Sequence, residues 1–548
     1  MLPAFRHPGR PGYFIRRIPK DQFLLQNAYR PQWFFRQPPP CEAPGLGAAH
    51  LQIRHRHLNN TTHKRHRDVA GHSAAAPTDR RGAPGVEVPQ TSAVDDTLGG
   101  GGALYRFEEH QTPFKVLILG GSYAGLAAAL NLVDLCHGRR HRFSITEGDQ
   151  GTGKTIPVQV TIVDPRDGFF HLIGQPLALC SQEFAESLWC KYTDLPALKT
   201  PNIRCIQGQI DTLDCASKTA TISTSRGAVH ESYDYMVTCT GLSREFPSAP
   251  RSLTREKYLA ESAENLVNVR DAPKGVAVIG GGAVGIEIAA ECKMLHPHTT
   301  VTLIHSRSAL LSSEPLPSEF SAKALEILQA SDINTIMGAR VQDITKAENG
   351  NEKEYTLTLS TNESLTVSHV INAVSRFTPT APTFLPQDVC DEQGYIRIKP
   401  TLEFPDDSSA VPADIAGDHY AAGDVARWSG IKRGGAAMHQ GHFAARNIHQ
   451  KMMARVYGTT PEFVTLDEVV PGMGLALGKT AVGYFPSMGL NEGEETRKMF
   501  FEGDLGFMIC YRWMQLGKPT EGPVDATPAE EDKPVQVASA STTVRAAA

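Results

Sequence analysis

Residues 114–125 read FKVLILGGSYAG, and residues 275–285 read GVAVIGGGAVG. Each is an aliphatic run closed by glycines, the pattern of a buried parallel strand that turns sharply into a helix. At such a turn the first helical N–H groups have no partner inside the helix, and the glycines let a pyrophosphate reach them. The two loops start 160 residues apart, at Gly120 and Gly280. One such loop is weak evidence. Two in one chain point to two dinucleotides, and two dinucleotides point to electron transfer between them.

The first loop carries Gly120 and Gly125, but Ser122 stands in the middle glycine position. Serine is among the smallest side chains with a Cβ, and its hydroxyl can donate to a phosphate. A helix is expected over 124–135 and a second strand over 158–163, closed by Asp164 in TIVDPRDGFFH. A carboxylate at that strand end accepts hydrogen bonds from the ribose hydroxyls of an adenosine. Asp164 lies 44 residues beyond Gly120, where a plain strand-helix-strand unit needs about 20. The polar stretch 137–157 therefore reads as a surface insertion. Within it GDQGTGKT, with Gly148, Gly153, Lys154 and Thr155, completes a P-loop pattern. A polar segment precedes it and a strand follows, so it reads as a chance match rather than a phosphate cradle.

The second loop is complete, with Gly280, Gly282 and Gly285 followed by Glu287. Its next strand, 301–304, ends in His305, Ser306 and Arg307 rather than a carboxylate. A ribose 2′-phosphate is favoured by a cation and hydroxyl donors and repelled by a carboxylate, so the reading leans to NADPH, with NADH use close behind. Further strands are expected over 232–240, 276–279 and 368–373. Two other segments carry chemistry: YMVTCTG, ending in Thr240-Gly241, and HYAAGDV, containing Gly423-Asp424.

With 548 residues the chain has room for two or three domains. Its net charge of -5 hides a division, because residues 1–82 hold 14 Lys or Arg against 4 Asp or Glu, leaving 40 against 55 in the rest. A basic arm thus precedes an acidic body, and the body carries no nucleic-acid footprint. Residues 1–112 are rich in Pro, Arg, His and Gly without sustained periodicity and read as disordered. The arm is Arg-rich and acid-poor as an import presequence is, but Pro3, Pro8, Pro11 and Pro19 oppose the helix that import needs. The histidines between His50 and His72 read as a hydrated tract, and no metal is expected. The ten cysteines include no pair at CxxC or CxxxxC spacing, so no adjacent redox disulfide is readable. Buried, reduced thiols and a cytosolic or matrix compartment are the expectation. No run approaches the roughly 18 uncharged apolar residues of a membrane span.

From 114 to 517 the order of these segments resembles the pyridine-nucleotide-dependent flavoprotein reductases of the apoptosis-inducing-factor-like, mitochondrion-associated group. That group includes the ferroptosis suppressor reductase and is similar to type II NADH dehydrogenases. The resemblance implies that Gly120, Ser122, Gly125, Asp164, Thr240, Gly241, Gly423 and Asp424 hold FAD, and that Gly280, Gly282, Gly285, Glu287, His305 and Arg307 serve NAD(P)H. It also implies that FFHLIGQPL puts His171 and Pro176 beside the flavin ring. By the same resemblance RGGAAMHQG is a helix start beside flavin and quinone, making Met438, His439 and Gln440 candidates for the acceptor site. Leu2 departs from the N-myristoylated suppressor reductase, whose acylation requires a glycine there. Residues 502–516, with Phe507, Met508, Tyr511, Trp513 and Leu516, read as a core stripe, the commoner case, or as an alternative peripheral membrane patch.

The expected fold is doubly wound α/β, with two Rossmann-like dinucleotide domains, the NAD(P) domain inserted in the FAD domain, and a small C-terminal region. The expected boundaries are a basic arm over 1–112, FAD-binding parts over 113–250 and 378–460, an NAD(P)H-binding part over 251–377, a C-terminal region over 461–517 and a disordered tail over 518–548. The expected function is an FAD-dependent NAD(P)H oxidoreductase feeding a quinone-like small molecule. Its rivals are a ferredoxin or rubredoxin reductase and a flavin-bearing death or signalling effector that binds nucleic acid or a partner through the arm.

Overall fold

A computed structural model describes residues 112–146, 148–347, 354–374 and 377–524. The arm up to 111, its histidine tract and the tail from 525 lie outside the described residues. Strand β1 (Phe114–Leu119) leads through the first glycine loop into α1 (Tyr123–Cys136), then β2 (Val158–Asp164), β3 (Ile203–Gln207) and β4 (Tyr235–Thr238). The plan then repeats: β5 (Val276–Ile279), α2 (Ala283–Leu295), β6 (Val301–His305), β7 (Asn334–Met337) and β8 (His369–Asn372). Only afterwards come β9 (His419–Ala421) and the long helix α3 (Gly434–Tyr457).

The strands assemble into two parallel sheets of matching order. The first runs β9-β4-β1-β2-β3 and the second β8-β5-β6-β7. In each, a three-stranded antiparallel sheet sits between the third strand and the return strand: Gln209–Asp214, Thr219–Thr224 and Gly227–Ser232 in the first, Val341–Lys346, Tyr355–Leu359 and Ser364–Val367 in the second. Parallel strands are covered on both faces, which is why β1 from Val116 on and β5 read as unbroken apolar runs and β6 is broken only by Thr302 before His305. Every residue of α1 is buried, because α3 covers the side that the sheet leaves open. The two helices touch at Gly441, where a Cβ would overlap the carbonyl oxygen of Ala124.

The chain leaves the first sheet after β4 and returns before β9. The outgoing strand Leu242–Ser243 pairs antiparallel with the returning strand Thr378–Pro379. Beside that pair the Thr380 hydroxyl donates to Thr240 Oγ1 at 2.6 Å.

Two expectations need correction. The stretch 137–157 is not a plain surface insertion: Phe143 and Ile156 are buried in the first core, and Arg142 pairs with Asp134 at 2.9 Å, out of solvent. Losing one partner of such a buried pair costs roughly 3–5 kcal/mol. In 502–516, Phe507 and Leu516 lie in the first core and Met508, Tyr511 and Trp513 are half-buried against it, as a core stripe would be. Among the described residues no helix is long and apolar enough to cross a membrane. Finally, residues 518–524 are held rather than free. The Thr520 hydroxyl donates to Ala197 O at 2.7 Å, Glu521 pairs with Arg139 at 2.8 Å, and the Val524 N–H donates to His137 O at 2.9 Å.

Candidate functional site

The two glycine loops are built alike, from the same backbone constraint. Gly120 and Gly280 adopt φ of 102° and 118°, in the region that disfavours a side chain. A Cβ at Gly125 would overlap the Gly120 carbonyl oxygen, and one at Gly285 the Gly280 carbonyl oxygen. These four glycines let strand, turn and helix close tightly. The middle positions differ in kind. A Cβ at Gly282 would meet nothing within 4 Å, which leaves space for a ligand there, and Ser122 holds the matching place on the cavity wall. Neither α1 nor α2 has a side-chain cap or an acidic residue in its first turn. Their unpaired N–H groups and positive helix ends therefore remain available to an anion.

Each loop is anchored by the side chain closing its second strand. Asp164 Oδ2 accepts the Gly121 N–H at 2.7 Å and its Oδ1 accepts the Arg166 N–H at 2.8 Å. In the second loop His305 Nδ1 accepts the Gly281 N–H at 3.0 Å. The other ring nitrogen, Nε2, lies 3.1 Å from Ala309 O. A carbonyl oxygen only accepts, so Nε2 carries the proton and the ring is neutral. Burial, with Arg307 nearby, lowers its pKa and keeps it so. Arg307 Nη1 donates to the hydroxyls of Ser312 at 3.0 Å and Ser313 at 2.8 Å. A cation with two hydroxyls thus stands at the strand end where a carboxylate would suit an unphosphorylated ribose.

A cavity of about 2550 Å³ joins both loops to Thr240-Gly241, Gly423-Asp424 and the start of α3. Ser122, Pro176, Glu287, His305, Arg307, Met438, His439 and Gln440 reach its wall, whereas Gly120, Gly125, Asp164 and His171 do not. His171 corrects an expectation. It is fully buried, its Nε2–H donates to Leu505 O at 2.9 Å and its Nδ1 accepts from the Tyr123 hydroxyl at 3.1 Å. Burial pushes its pKa down to about 4. It is a neutral tie between elements, with no nitrogen left for a ring. Gln440 has a similar role at the wall: its amide oxygen accepts the Gly423 N–H at 2.7 Å and holds the Gly423-Asp424 turn.

Among the wall residues, sequence reasoning missed Arg244, His141, Phe143 and Phe443. Arg244 pairs with Asp424 at 2.8 Å; its place three residues past Gly241 was the available signal. Glu287 accepts the Ala476 N–H at 3.1 Å, and burial pushes its pKa up to about 8. Four residues on, Glu291 pairs with Arg497 at 3.0 Å yet is raised to about 7, again by burial. Far from the second loop the wall turns aromatic. His141 and Phe143 come from the 137–157 stretch, His439 and Phe443 from α3, and Trp513 from the C-terminal helix Phe507–Trp513. Phe443 lies against His439 with ring centroids 4.1 Å apart, and Trp513 against Phe143 at 5.7 Å. Burial pushes His439 down to about 4, so it faces the cavity uncharged.

These residues fit two dinucleotides: two helix starts without caps or acids, each beside an open middle position, share one cavity. They include no cysteine pair at CxxC spacing.

Comparison with known proteins agrees. A family model described as pyridine nucleotide-disulphide oxidoreductase matches residues 114–441. The chain is 48% identical over 416 residues to "Oxidoreductase OXR1" of Ajellomyces capsulatus, covering 74% of this chain and 88% of that protein. It is 22% identical over 382 residues to ferroptosis suppressor protein 1 of Xenopus tropicalis, covering 69% and 87%. The solved sulfide:quinone oxidoreductase of Aquifex aeolicus superposes with a TM-score of 0.52 at 17% identity, covering 74% of this chain and 92% of that one, a likeness of fold.

Proposed function

Since the chain belongs to the pyridine nucleotide-disulphide oxidoreductase family, whose cofactors are FAD and NADH or NADPH, we propose that it oxidises NAD(P)H through FAD and reduces a quinone. The observation that carries this reading is the one cavity that both glycine loops share with an aromatic cluster, Phe143, Phe443 and Trp513. A flat apolar acceptor is stabilised by such a wall, and a hydrated ionic one is not.

In this reading the first loop and Asp424 would hold FAD, which would supply hydride acceptance and two-electron transfer. The second loop holds the coenzyme, with its pyrophosphate at the start of α2. Arg307, Ser312 and Ser313 take a ribose 2′-phosphate, which makes NADPH the favoured coenzyme. Asp164 keeps the first loop closed through Gly121, and Gln440 keeps the Gly423-Asp424 turn in place. Phe143, Phe443 and Trp513 exclude water at the acceptor end. The sum is NAD(P)H plus one proton plus quinone giving NAD(P)⁺ plus quinol, which balances without a cysteine pair. The protein's main work is positioning.

Stopped-flow absorbance tests the reading in two halves. NADPH should bleach the flavin band faster than NADH at equal concentration. The reduced protein should then reoxidise faster with ubiquinone analogues than with small iron-sulfur proteins. The opposite order in the second half would make the protein a ferredoxin-type reductase and overturn the quinone assignment.

A further inference from the structure

Spacing along the chain hides a cysteine pair that the fold assembles. Cys180 follows the short helix Gln175–Ala178, in the segment between β2 and β3, and Cys292 lies on α2 of the second glycine loop. The two helices pack on one another, and the Cys180 side chain interacts with that of Cys292. Both are buried in one apolar core with Leu179, Ile288 and Ala289. The backbone carrying Cys180 is fixed from two sides. Asn265 Nδ2 donates to Leu179 O at 2.8 Å, and the ring of His296, just past α2, donates to Cys180 O at 2.8 Å. The pairing therefore rests on three separate elements rather than on two flexible side chains.

We propose that Cys180 and Cys292 are a reversible dithiol-disulfide site that staples the 175–180 segment to the coenzyme-loop helix. A small-molecule disulfide serves as oxidant: the two thiols lose two protons and two electrons, one S–S bond forms in the protein, and the reagent's S–S bond is reduced to two thiols. Neither sulfur lies on the cavity wall. The bond is therefore separate from the path of the hydride, unlike a redox disulfide set beside the flavin. Cys180 is held protonated, its pKa raised by the contact with Cys292 and by burial, so exchange waits on the two packed helices parting. The site records an opening of this seam under oxidising conditions and then closes it covalently.

The test uses the full-length, FAD-loaded protein incubated with oxidised glutathione below its melting temperature, followed by alkylation and non-reducing peptide mapping. One cross-linked peptide joining 180 to 292 is expected, with loss of two hydrogens from the intact mass and a rise in Tm of roughly 5 °C, all reversed by dithiothreitol. Cys292→Ser should lose the cross-link and the rise in Tm, with Cys180→Ala as the second variant if the first is poorly folded. Cys190, Cys205 and Cys390, which are half-buried, serve as internal controls of reagent access. If those three are modified while no 180–292 peptide forms, the proposal fails. It fails equally if Cys180 pairs with other cysteines as often as with Cys292, since that is the mark of unfolding.

Discussion

His305 accepts the Gly281 N–H at 3.0 Å, in the place where Asp164 accepts the Gly121 N–H in the first loop. One anchoring job is thus done by a carboxylate in one loop and by a neutral imidazole in the other. The exchange keeps the turn and, on the proposed reading, removes a negative charge from beside the coenzyme's ribose.

Restoring that charge should reverse coenzyme preference. In His305→Asp, a carboxylate still reaches Gly281 but repels a 2′-phosphate, and Arg307→Glu removes the cation. A charged hydrogen bond contributes roughly 1.5–3 kcal/mol, so either variant should weaken NADPH binding about ten- to a hundredfold and leave NADH within a few fold. Isothermal titration with each coenzyme checks it. Unchanged NADPH affinity in both variants would remove this strand end from coenzyme selection.

Two glycines of the second loop should separate folding from binding. Gly285→Ala drives a methyl into the Gly280 carbonyl and should cost more than about 1–3 kcal/mol of stability. Gly282→Ala meets nothing within 4 Å and should leave stability within roughly 0.5 kcal/mol, while filling the space beside the start of α2. Denaturant melts and coenzyme titration on both variants should give opposite rankings.

Glu287 should make stability fall with pH. Its folded-state pKa, about 8, lies above the unfolded value of 4.5, so between those values the folded state binds more protons and loses stability as pH rises. Glu287→Gln keeps an acceptor for the Ala476 N–H and removes the titration. Its Tm should drop less than that of the natural chain between pH 5 and pH 8, by an amount corresponding to roughly a few kcal/mol. Parallel slopes would show the carboxyl ionising freely.

Trimming the aromatic end should affect the acceptor half-reaction alone. Trp513→Leu keeps an apolar side chain on the wall but loses the ring pairing with Phe143, worth about 0.5–1.5 kcal/mol. KM for a ubiquinone analogue should rise roughly two- to tenfold, with flavin reduction by NADPH unchanged. A slower flavin reduction would place Trp513 on the coenzyme side instead.

The core strands of both sheets were legible from sequence because burial on both faces leaves little but aliphatic residues. Val276–Ile279 and Val301–His305 stand where their apolar runs stand. The strand expected over 232–240 is shorter, Tyr235–Thr238, because Ser232 closes the antiparallel strand Gly227–Ser232 before it. The 137–157 stretch misled because its composition is polar while its burial is not: the charge of Arg142 disappears only once Asp134 is brought 2.9 Å away. His171 misled because a segment like a flavin-facing loop does not say which way one side chain turns. Cys180 and Cys292 were invisible as a pair, since contact across two folding units leaves no local spacing to read.

The paired crossings carry a practical consequence. Leu242–Ser243 and Thr378–Pro379 are bonded to each other, so the segment 244–377 begins and ends on neighbouring strands, about 5 Å apart. Such a segment can be cut out at one pair of joints, while its faces still meet 175–180 and 473–482. Exchanged for its counterpart from a relative with those faces matched, it would carry the proposed coenzyme site without relinking the remainder of the chain.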